Sequence, residues 1–453
     1  MKNIFLLFVF AICIMACQKP KQVEKTIVIG GGLIGSSTAW ELSKYGEEVL
    51  LIEQQDSVYT FGSSFGEARI SRSLGPKNDV FSYLQQTSVR ETQGLVDYLN
   101  RNTKPQKHQM EDIYTTSPVT YIYEKAQRKE VEKLLYGQTD KYEYAPSSKK
   151  AFEIFGMSIP DSSMVIREYK KHSGTLNPKV LISKLHEGIR KKGNRIRYNE
   201  KVTVLKKVEG IYEIEITNSK TGETEKLFSK KVVAAAGPFN GSLVRDIAPY
   251  FESLINPKRL FLAFFKIKRD TYERLTVEEK NRFREFYPVA YMDSEIFYSM
   301  IEKYDKEGMP IIKVGGHFLR TDIKDLNSVW QKELSTQEIE WSKENTINYL
   351  SSLNLLITEN DLVFYSGYSC VYSLTKTETP YVTNVLHDSA IDPNFVLAGG
   401  MSGIGAKGSL TYGLIAANLI LNKKDTSAIY NKTIKALGSD RLLKDLSALD
   451  SIE

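Results

Sequence analysis

A glycine-rich turn near the start of the chain has the residue types and spacing to hold a dinucleotide. Gly30, Gly32 and Gly35 form a Gly-x-Gly-x-x-Gly sequence between a β-branched run and a helical stretch. Glu53 follows the second predicted strand, 49–52, eighteen residues after Gly35. The glycines allow the backbone to approach a pyrophosphate at the helix N-terminus, and the acid can accept hydrogen bonds from ribose hydroxyls. An acid here favours FAD or NAD and argues against the 2′-phosphate of NADP.

Other residues with useful chemistry are spread over the rest of the chain. Arg69 and Arg72 could bind a carboxylate, because a planar guanidinium makes two parallel hydrogen bonds to it. Taken alone, they are also compatible with surface arginines. His317, four residues after Lys313, would by itself more often be structural, and Cys370 could be a small buried hydrophobic residue.

The elements around the glycine turn predict a Rossmann-like nucleotide-binding domain, in the order strand, turn, helix, strand. Further strands are predicted over 195–204, 211–217, 232–237 and 395–400, and a helix over 409–421. Val202 and Gly237 in these strands are predicted to contact the cofactor. Long insertions rich in Tyr, Phe and charged residues interrupt the domain.

The predicted fold class is α/β, or α+β overall, with the insertions forming a mainly antiparallel-sheet substrate domain that covers the cofactor. The predicted division of the chain is a signal peptide over 1–16, a tether over 17–25, a cofactor-binding domain over 26–100, 172–240 and 362–453, and a substrate domain over 101–171 and 241–361.

The composition is that of a globular protein with a large core. Of 453 residues, 42% are hydrophobic and 26% are charged, and no heptad pattern is sustained. Disorder, collagen and coiled coil are therefore excluded. The net charge of +6 comes from scattered basic residues, which gives nucleic-acid binding little support. Three cysteines and five histidines predict neither a disulfide framework nor a metal site.

The N-terminal segment predicts export. Residues 4–15 are all apolar and follow one lysine. As a helix they would span about 18 Å, which is too short for a hydrocarbon core of about 30 Å and suits a signal peptide. The alternative is a buried core helix. Ile14-Met15-Ala16-Cys17 resembles a bacterial lipoprotein cleavage box, in which the cysteine becomes lipidated.

Over nearly the whole mature chain, the sequence is similar to FAD-dependent amine oxidases of the monomeric sarcosine oxidase and N-methyltryptophan oxidase type, within the D-amino-acid-oxidase superfamily. The resemblance rests on the glycine turn and on blocks that follow in the family's order: GSSFGEARISR at 62–72, KVGGH at 313–317, CVYSLTKTE at 370–378 and GGMSGIGAKGS at 399–409.

The resemblance implies a role for each block. Arg69 would lie against the flavin, and Arg72 would bind the substrate carboxylate together with Lys407. Lys313 would hold a water and promote reaction with dioxygen, because a positive charge stabilises the anion that develops on O2. The remaining implied site residues are His317 and Tyr298 near the substrate, Cys370 as a thioether link to FAD, and Ser63, Gly403 and Gly405 at the cofactor.

The sequence therefore predicts an FAD-dependent oxidase of N-methyl or other secondary amino acids that forms an imine and hydrogen peroxide. One alternative is a flavin dehydrogenase that passes electrons to a quinone or carrier. Another is a membrane-tethered binding lipoprotein on a scaffold that has lost its activity. The predicted partners are a small amino acid, dioxygen and a lipid anchor at Cys17. We expect a monomer without a metal or nucleic acid, in the periplasm or on the cell surface.

Overall fold

A computed structural model describes residues 23–75, 78–101, 105–284, 286–323, 325–329 and 333–450. The predicted signal peptide and Cys17 lie outside these residues. The first strand begins at Val23, where it pairs with Phe228. Residues 23–25, which the sequence assigns to the tether, therefore lie in a sheet. In the part of the chain that the structure describes, no helix has both the length and the apolarity to cross a membrane.

Strands and helices follow one another in mixed order along the chain. The strands are β1 Val23–Ile29, β2 Val49–Ile52, β3 Arg69–Arg72, β4 Tyr114–Thr116, β5 Val119–Glu124, β6 Tyr142–Ala145, β7 Ser163–Glu168, β8 Ser173–Leu176, β9 Arg195–Arg197, β10 Glu200–Val208, β11 Ile211–Asn218, β12 Thr224–Ala234, β13 Asn256–Ile267, β14 Val289–Tyr291, β15 Tyr298–Tyr304, β16 Pro310–Gly315, β17 Thr321–Asp322, β18 Leu362–Leu374, β19 Tyr381–His387 and β20 Ala390–Gly399. The α-helices are Leu33–Lys44, Asn78–Leu99, Arg128–Leu135, Ser148–Phe155, Pro178–Lys191, Asn240–Leu243, Phe251–Leu254, Arg269–Arg274, Val277–Arg284, Thr336–Ser352, Ser409–Ile420, Ala428–Leu437 and Ser439–Asp450.

The first sheet carries the nucleotide-binding elements. Its strand order is β10-β11-β12-β1-β2-β9, with β20 beside β12 and β19 beside β20. The central pairs β12–β1, β1–β2 and β12–β20 are parallel. Because parallel strands end at the same edge, the turns after β1, β12 and β20 come together there, which is where such sheets bind ligands.

Two helices pack tightly against each other on this sheet. A Cβ added to Gly413, in the helix Ser409–Ile420, would lie 2.6 Å from the carbonyl carbon of Ser37 in the helix Leu33–Lys44. Trp40 and Tyr412 are buried in the same core cluster. The helix Ser409–Ile420 therefore supports the helix that follows the glycine turn.

The second sheet is mainly antiparallel, as predicted for the insertions. Its order is β17-β13-β16-β15-β14-β5-β7-β6, and β18 pairs with β13 along its length. Residues 362–374 therefore belong to this sheet, although they lie in the range that the sequence assigns to the cofactor-binding domain. Cys370 lies opposite Leu260 in this pairing, within the buried C-terminal half of β18. The boundaries of the domains stay a prediction.

A small third sheet, in the order β3-β8-β4, sets the directions of the two arginines. Arg69 pairs with Leu176 and Arg72 with Ser173. Residues three apart on a strand point to opposite faces. The two guanidinium groups therefore enter different surroundings and cannot act as one clamp.

Candidate functional site

Residues from both large sheets line one cavity of about 1000 Å³. All the site residues predicted from the sequence, apart from Gly35, line it: Gly30, Gly32, Glu53, Ser63, Arg69, Arg72, Val202, Gly237, Tyr298, Lys313, His317, Cys370, Gly403, Gly405 and Lys407. The structure thus brings together residues that are up to 377 positions apart in the chain (407 − 30).

The glycine turn fits a dinucleotide. Gly30 has φ +99°, and a Cβ there would lie 2.5 Å from the carbonyl oxygen of Ala235. A Cβ at Gly35 would collide with the Gly30 carbonyl oxygen, so Gly35 lets the helix approach from beneath the turn. The Gly31 amide donates to Glu53 Oε2 at 2.6 Å. Burial raises the pKa of Glu53, and the other carboxylate oxygen accepts from the Gln55 amide at 2.8 Å.

A buried histidine that the sequence analysis missed supports this turn. Ser36 Oγ donates to the Gly31 carbonyl at 2.7 Å and lies 2.8 Å from His186 Nε2. His186 Nδ1 lies 2.8 Å from the hydroxyl of Tyr198. Burial lowers the pKa of His186 to about 3, so the ring is neutral, with Nε2–H donating to Ser36 and Nδ1 accepting from Tyr198. Nothing in the local sequence distinguishes His186 from any helical histidine.

Arg69 holds the loop 62–68 in shape. Its guanidinium donates to the carbonyl oxygens of Ala68 at 2.8 Å, of Ser63 at 3.3 Å and of Phe65. Ser63 Oγ donates to the Val371 carbonyl at 2.6 Å, which ties the loop to β18. Much of the hydrogen-bonding capacity of Arg69 is therefore used within the protein, next to the cavity.

Lys313 has a buried acidic partner that the sequence analysis also missed. Its Nζ donates to the Ala68 carbonyl at 2.6 Å and lies 2.9 Å from Glu302 Oε2. Burial, with help from the nearby Arg69, lowers the pKa of Lys313 to about 8, while Glu302 opposes this shift. Glu302 follows Tyr298 and Met300 at spacings of two in the sequence, but a bulge after Ile301 interrupts the alternation before it reaches Glu302.

The walls next to Lys313 are aromatic and neutral. The thiol of Cys370 is buried, and burial raises its pKa to about 11. The His317 ring meets the Tyr372 ring edge-on, with 6.0 Å between centroids, and burial lowers the pKa of His317 to about 4. The ring of Tyr298 fills the space above Gly315, where a Cβ would collide with it.

Arg72 and Lys407 form a separate pair of cations. Arg72 donates to the Leu74 carbonyl at 2.8 Å and lies 5.4 Å from the centroid of the Tyr121 ring. Lys407 is 6% exposed, and its Nζ lies 4.6 Å from the centroid of the Phe81 ring. Burial and the charge of Arg72 lower the pKa of Lys407 strongly. Across the described ranges, no carboxylate forms an ion pair with either cation.

Glu168, the acid whose charge acts on this pair, makes its hydrogen bonds to other residues. Glu168 accepts from the Tyr121 hydroxyl at 2.8 Å and from the Ser73 amide and hydroxyl at 2.8 and 2.7 Å. It contributes a favourable charge to both Arg72 and Lys407 without direct contact. Arg72 therefore keeps its positive charge toward the cavity, and an anionic ligand there would also favour the charged form of Lys407.

The remaining predicted residues shape the cavity wall. Val202 lies at a bulge of β10, and Gly237 has φ +60° in the turn after β12. Gly403 lies so close to the Tyr372 ring that a Cβ would be 2.6 Å from it. Gly405 faces the side chain of Met401. Gly237 has open space where a side chain would begin, whereas Tyr372 and Met401 already fill that space at Gly403 and Gly405.

Comparison with known proteins decides what this cavity holds. A family model described as DAO, FAD dependent oxidoreductase, matches residues 25–419. The chain belongs to this family. The family match decides between FAD and NAD in favour of FAD, and it confirms the predicted resemblance and the predicted FAD-dependent oxidoreductase.

Individual relatives agree with the family. A probable sarcosine oxidase from Arabidopsis thaliana is 24% identical over 401 residues, which is 87% of each chain. The solved structure of NikD, an unusual amino acid oxidase essential for nikkomycin biosynthesis, has a TM-score of 0.67 at 15% identity and covers 90% of this chain and 97% of its own. L-proline dehydrogenase from P. horikoshii has a TM-score of 0.64 at 15% identity, with coverages of 90% and 96%.

These likenesses confirm the predicted fold class, a mixed α/β architecture with the FAD-binding fold. Together with the family match, they identify the chain as an FAD-dependent oxidoreductase. The substrate, the electron acceptor and the attachment of the flavin remain to be proposed.

Proposed function

We propose that the protein is an FAD-dependent oxidase of N-methyl or other secondary amino acids, with dioxygen as electron acceptor. The observation that carries the proposal is the pair of buried cations, Arg72 and Lys407, which face the cavity without an ion-pair partner among the described residues. A carboxylate is the anion that an amino acid brings, and a guanidinium with an ammonium can bind it through charge-assisted hydrogen bonds.

The residues of the chain would bind and orient the substrate. Arg72 and Lys407 would hold its carboxylate, and Tyr298 and His317 would border the amine and the carbon to be oxidised. Burial keeps His317 neutral at pH 7, so it can accept or donate a hydrogen bond without adding charge. FAD, when bound, would accept a hydride equivalent, which carries both electrons of the oxidation. The imine then hydrolyses in water.

FAD would be held mainly by the first sheet. The glycine turn after β1 would face the pyrophosphate, Glu53 would accept from the ribose, and Gly237, Gly403 and Gly405 would leave room for the rest of the cofactor. We also propose a thioether from Cys370 to the flavin. Cys370 lines the cavity from β18 and is a free thiol, which supports this assignment.

Lys313 supports dioxygen as the acceptor, because its ammonium lines the cavity and would stabilise the negative charge that develops on O2. One observation favours a second candidate, a dehydrogenase that passes electrons to a quinone or carrier. Glu302 lies 2.9 Å from the ammonium and reduces the positive charge that dioxygen would encounter.

A peroxide assay on the purified holoenzyme tests the proposal. We expect one peroxide per substrate oxidised when secondary amino acids are screened, and no turnover of the matching amines that lack the carboxylate. Oxidation that requires an added quinone and yields no peroxide would establish the dehydrogenase. Equal turnover of acids and amines would contradict the carboxylate site.

We further propose that the chain is exported and anchored by lipid at Cys17. The apolar segment 4–15 and the cysteine after Ala16 support this, and two acyl chains are enough for stable membrane binding. Labelling cells with a fatty-acid analogue should mark the wild-type protein and not Cys17→Ser. A wild-type protein that carries no label and still begins at Met1 would contradict the proposal of export and anchoring.

A further inference from the structure

Glu302 connects Lys313 of the second sheet to the loop 62–68 of the cofactor side. Glu302 Oε1 accepts from the Glu67 amide at 2.5 Å, and Oε2 accepts from the Ala68 amide at 3.1 Å. The same Oε2 lies 2.9 Å from Lys313 Nζ, and Lys313 donates in turn to the Ala68 carbonyl at 2.6 Å. A closed ring of hydrogen bonds therefore joins β15, β16 and the loop.

This ring leaves Lys313 with a defined direction. An ammonium has three N–H donors, and the Ala68 carbonyl and Glu302 take two of them. Lys313 is 1% exposed and lines the cavity, so the third donor is the one left for a group in the cavity. Without Glu302, the side chain would lose the contact that keeps this orientation.

Among the groups around Lys313, Glu302 has the main stabilising effect on the positive charge of the lysine. Arg69 on β3 is the nearby cation, and Glu302 is the anion between the two positive groups. The other titratable groups that face this cluster are Cys370 and Tyr368 on β18 and Tyr298 on β15. Burial raises the pKa of each of these three groups, so they are neutral at pH 7 and Glu302 alone supplies negative charge.

Glu67 is adjacent in the chain but has different partners. Its carboxylate pairs with Lys179 and Lys303, each at 3.2 Å, and all three side chains are partly or fully accessible to solvent. Glu67 is therefore a matched control: an acid on the same loop whose charge does not contact Lys313.

We propose that Glu302 is a positioning residue that holds Lys313 as a charged donor aimed into the cavity. Glu302 thereby extends to higher pH the range in which dioxygen reoxidises the flavin. The part of this inference that concerns dioxygen rests on the proposed function. A buried lysine loses its proton readily when an opposing charge is removed, and the pKa of Lys313, at about 8, is already close to the working range.

The experiment measures the charge of Lys313 directly. The protein is labelled with lysine carrying ¹³C at the ε-carbon, and the Lys313 signal is assigned by its loss in Lys313→Met. We expect the titration midpoint of Lys313 to fall by about one pH unit or more in Glu302→Gln, to stay within a few tenths of a unit in Glu67→Gln, and to lie in between in Glu302→Asp.

Stopped-flow kinetics supply the second readout. Flavin reoxidation by O2 should decline with rising pH, and in Glu302→Gln this decline should begin at a lower pH by the same interval as the NMR midpoint. Anaerobic reduction by substrate should change less than about threefold. Glu302→Asp keeps the charge, so it should restore most of the wild-type pH profile even if Glu302→Gln folds poorly.

The outcomes distinguish the role of Glu302 in holding the charge of Lys313 from the proposed role of Lys313 toward dioxygen. An unchanged Lys313 midpoint in both Glu302 variants would overturn the role of Glu302. A shifted midpoint, combined with normal reoxidation in Lys313→Met, would support the role of Glu302 in holding the charge and would contradict the proposed role of Lys313 toward dioxygen.

Discussion

The cations Arg72 and Lys407 differ from Arg69 and Lys313 in the groups that surround their positive charges. Arg69 and Lys313 both donate to the Ala68 carbonyl, and the Glu302 carboxylate contacts Lys313 and acts on Arg69 through its charge. Arg72 and Lys407 lie against aromatic rings instead, and Glu168 reaches neither directly. At the scale of single residues, the first group is therefore largely satisfied by the protein, with one donor of Lys313 left toward the cavity, and the charges of the second group are available to a ligand.

Replacing either member of the second group should damage substrate binding. Losing one charge-assisted contact to a buried carboxylate costs about 2–5 kcal/mol, so Arg72→Ala and Lys407→Ala should each lower kcat/KM more than tenfold. Lys376→Ala is the control, because Lys376 lines the same cavity but is exposed. Steady-state kinetics with the best substrate from the peroxide screen would check this. Unchanged kcat/KM in both variants would exclude the carboxylate site.

At the scale of elements, the contact of the helix Leu33–Lys44 with the glycine turn depends on having no side chain at Gly35. Gly35→Ala should push the helix away from the Gly30 carbonyl, destabilise the protein by about 1–3 kcal/mol through overpacking and weaken FAD retention. Thermal unfolding and flavin content per protein would measure both effects.

Gly94→Ala is the matched helical control. Gly94 lies in the helix Asn78–Leu99, and a Cβ there would meet nothing within 4 Å. The same substitution should therefore be neutral or stabilising by about 0.5–1 kcal/mol, because alanine favours the helix more than glycine does. Equal destabilisation at positions 35 and 94 would mean that the close approach at the turn is unimportant.

At the scale of the whole molecule, the cavity is built across two sheets, and the thioether proposed at Cys370 would join them through the cofactor. The nucleotide end of FAD would rest on the first sheet, while Cys370 belongs to β18 of the second. Free FAD is expected to be scarce outside the cytoplasm. A covalent bond would prevent the loss of the flavin after export.

Acid precipitation tests this link. The yellow colour should stay in the pellet for wild type and for Cys17→Ser, and should move to the supernatant for Cys370→Ser. Intact-mass analysis should show one added FAD on the wild type and on Cys17→Ser, and none on Cys370→Ser. Flavin in the supernatant of the wild-type protein would show that the cofactor is not covalent and that Cys370 is a core residue.

The sequence by itself determined the local elements that meet at the cavity. The glycine turn, the acid after β2, the run ending at Gly237 and the helix that begins at Ser409 are all local patterns, and the structure has each of them, although β12 begins at Thr224, well before the predicted run 232–237. Local patterns are sufficient here because backbone conformation at glycines, strand alternation and helix starts depend on nearby residues. The types of side chain also predicted what each could bind.

Only the tertiary structure decided which side chains became partners. The pairing of β15 with β16 brings Glu302 to Lys313 through a bulge that shifts the register after Ile301, and no local pattern predicts that shift. The same holds for His186 under the glycine turn and for β18 in the second sheet. Register and packing follow from contacts between distant segments, so the sequence identified the cations of the site and the fold determined which of them are neutralised.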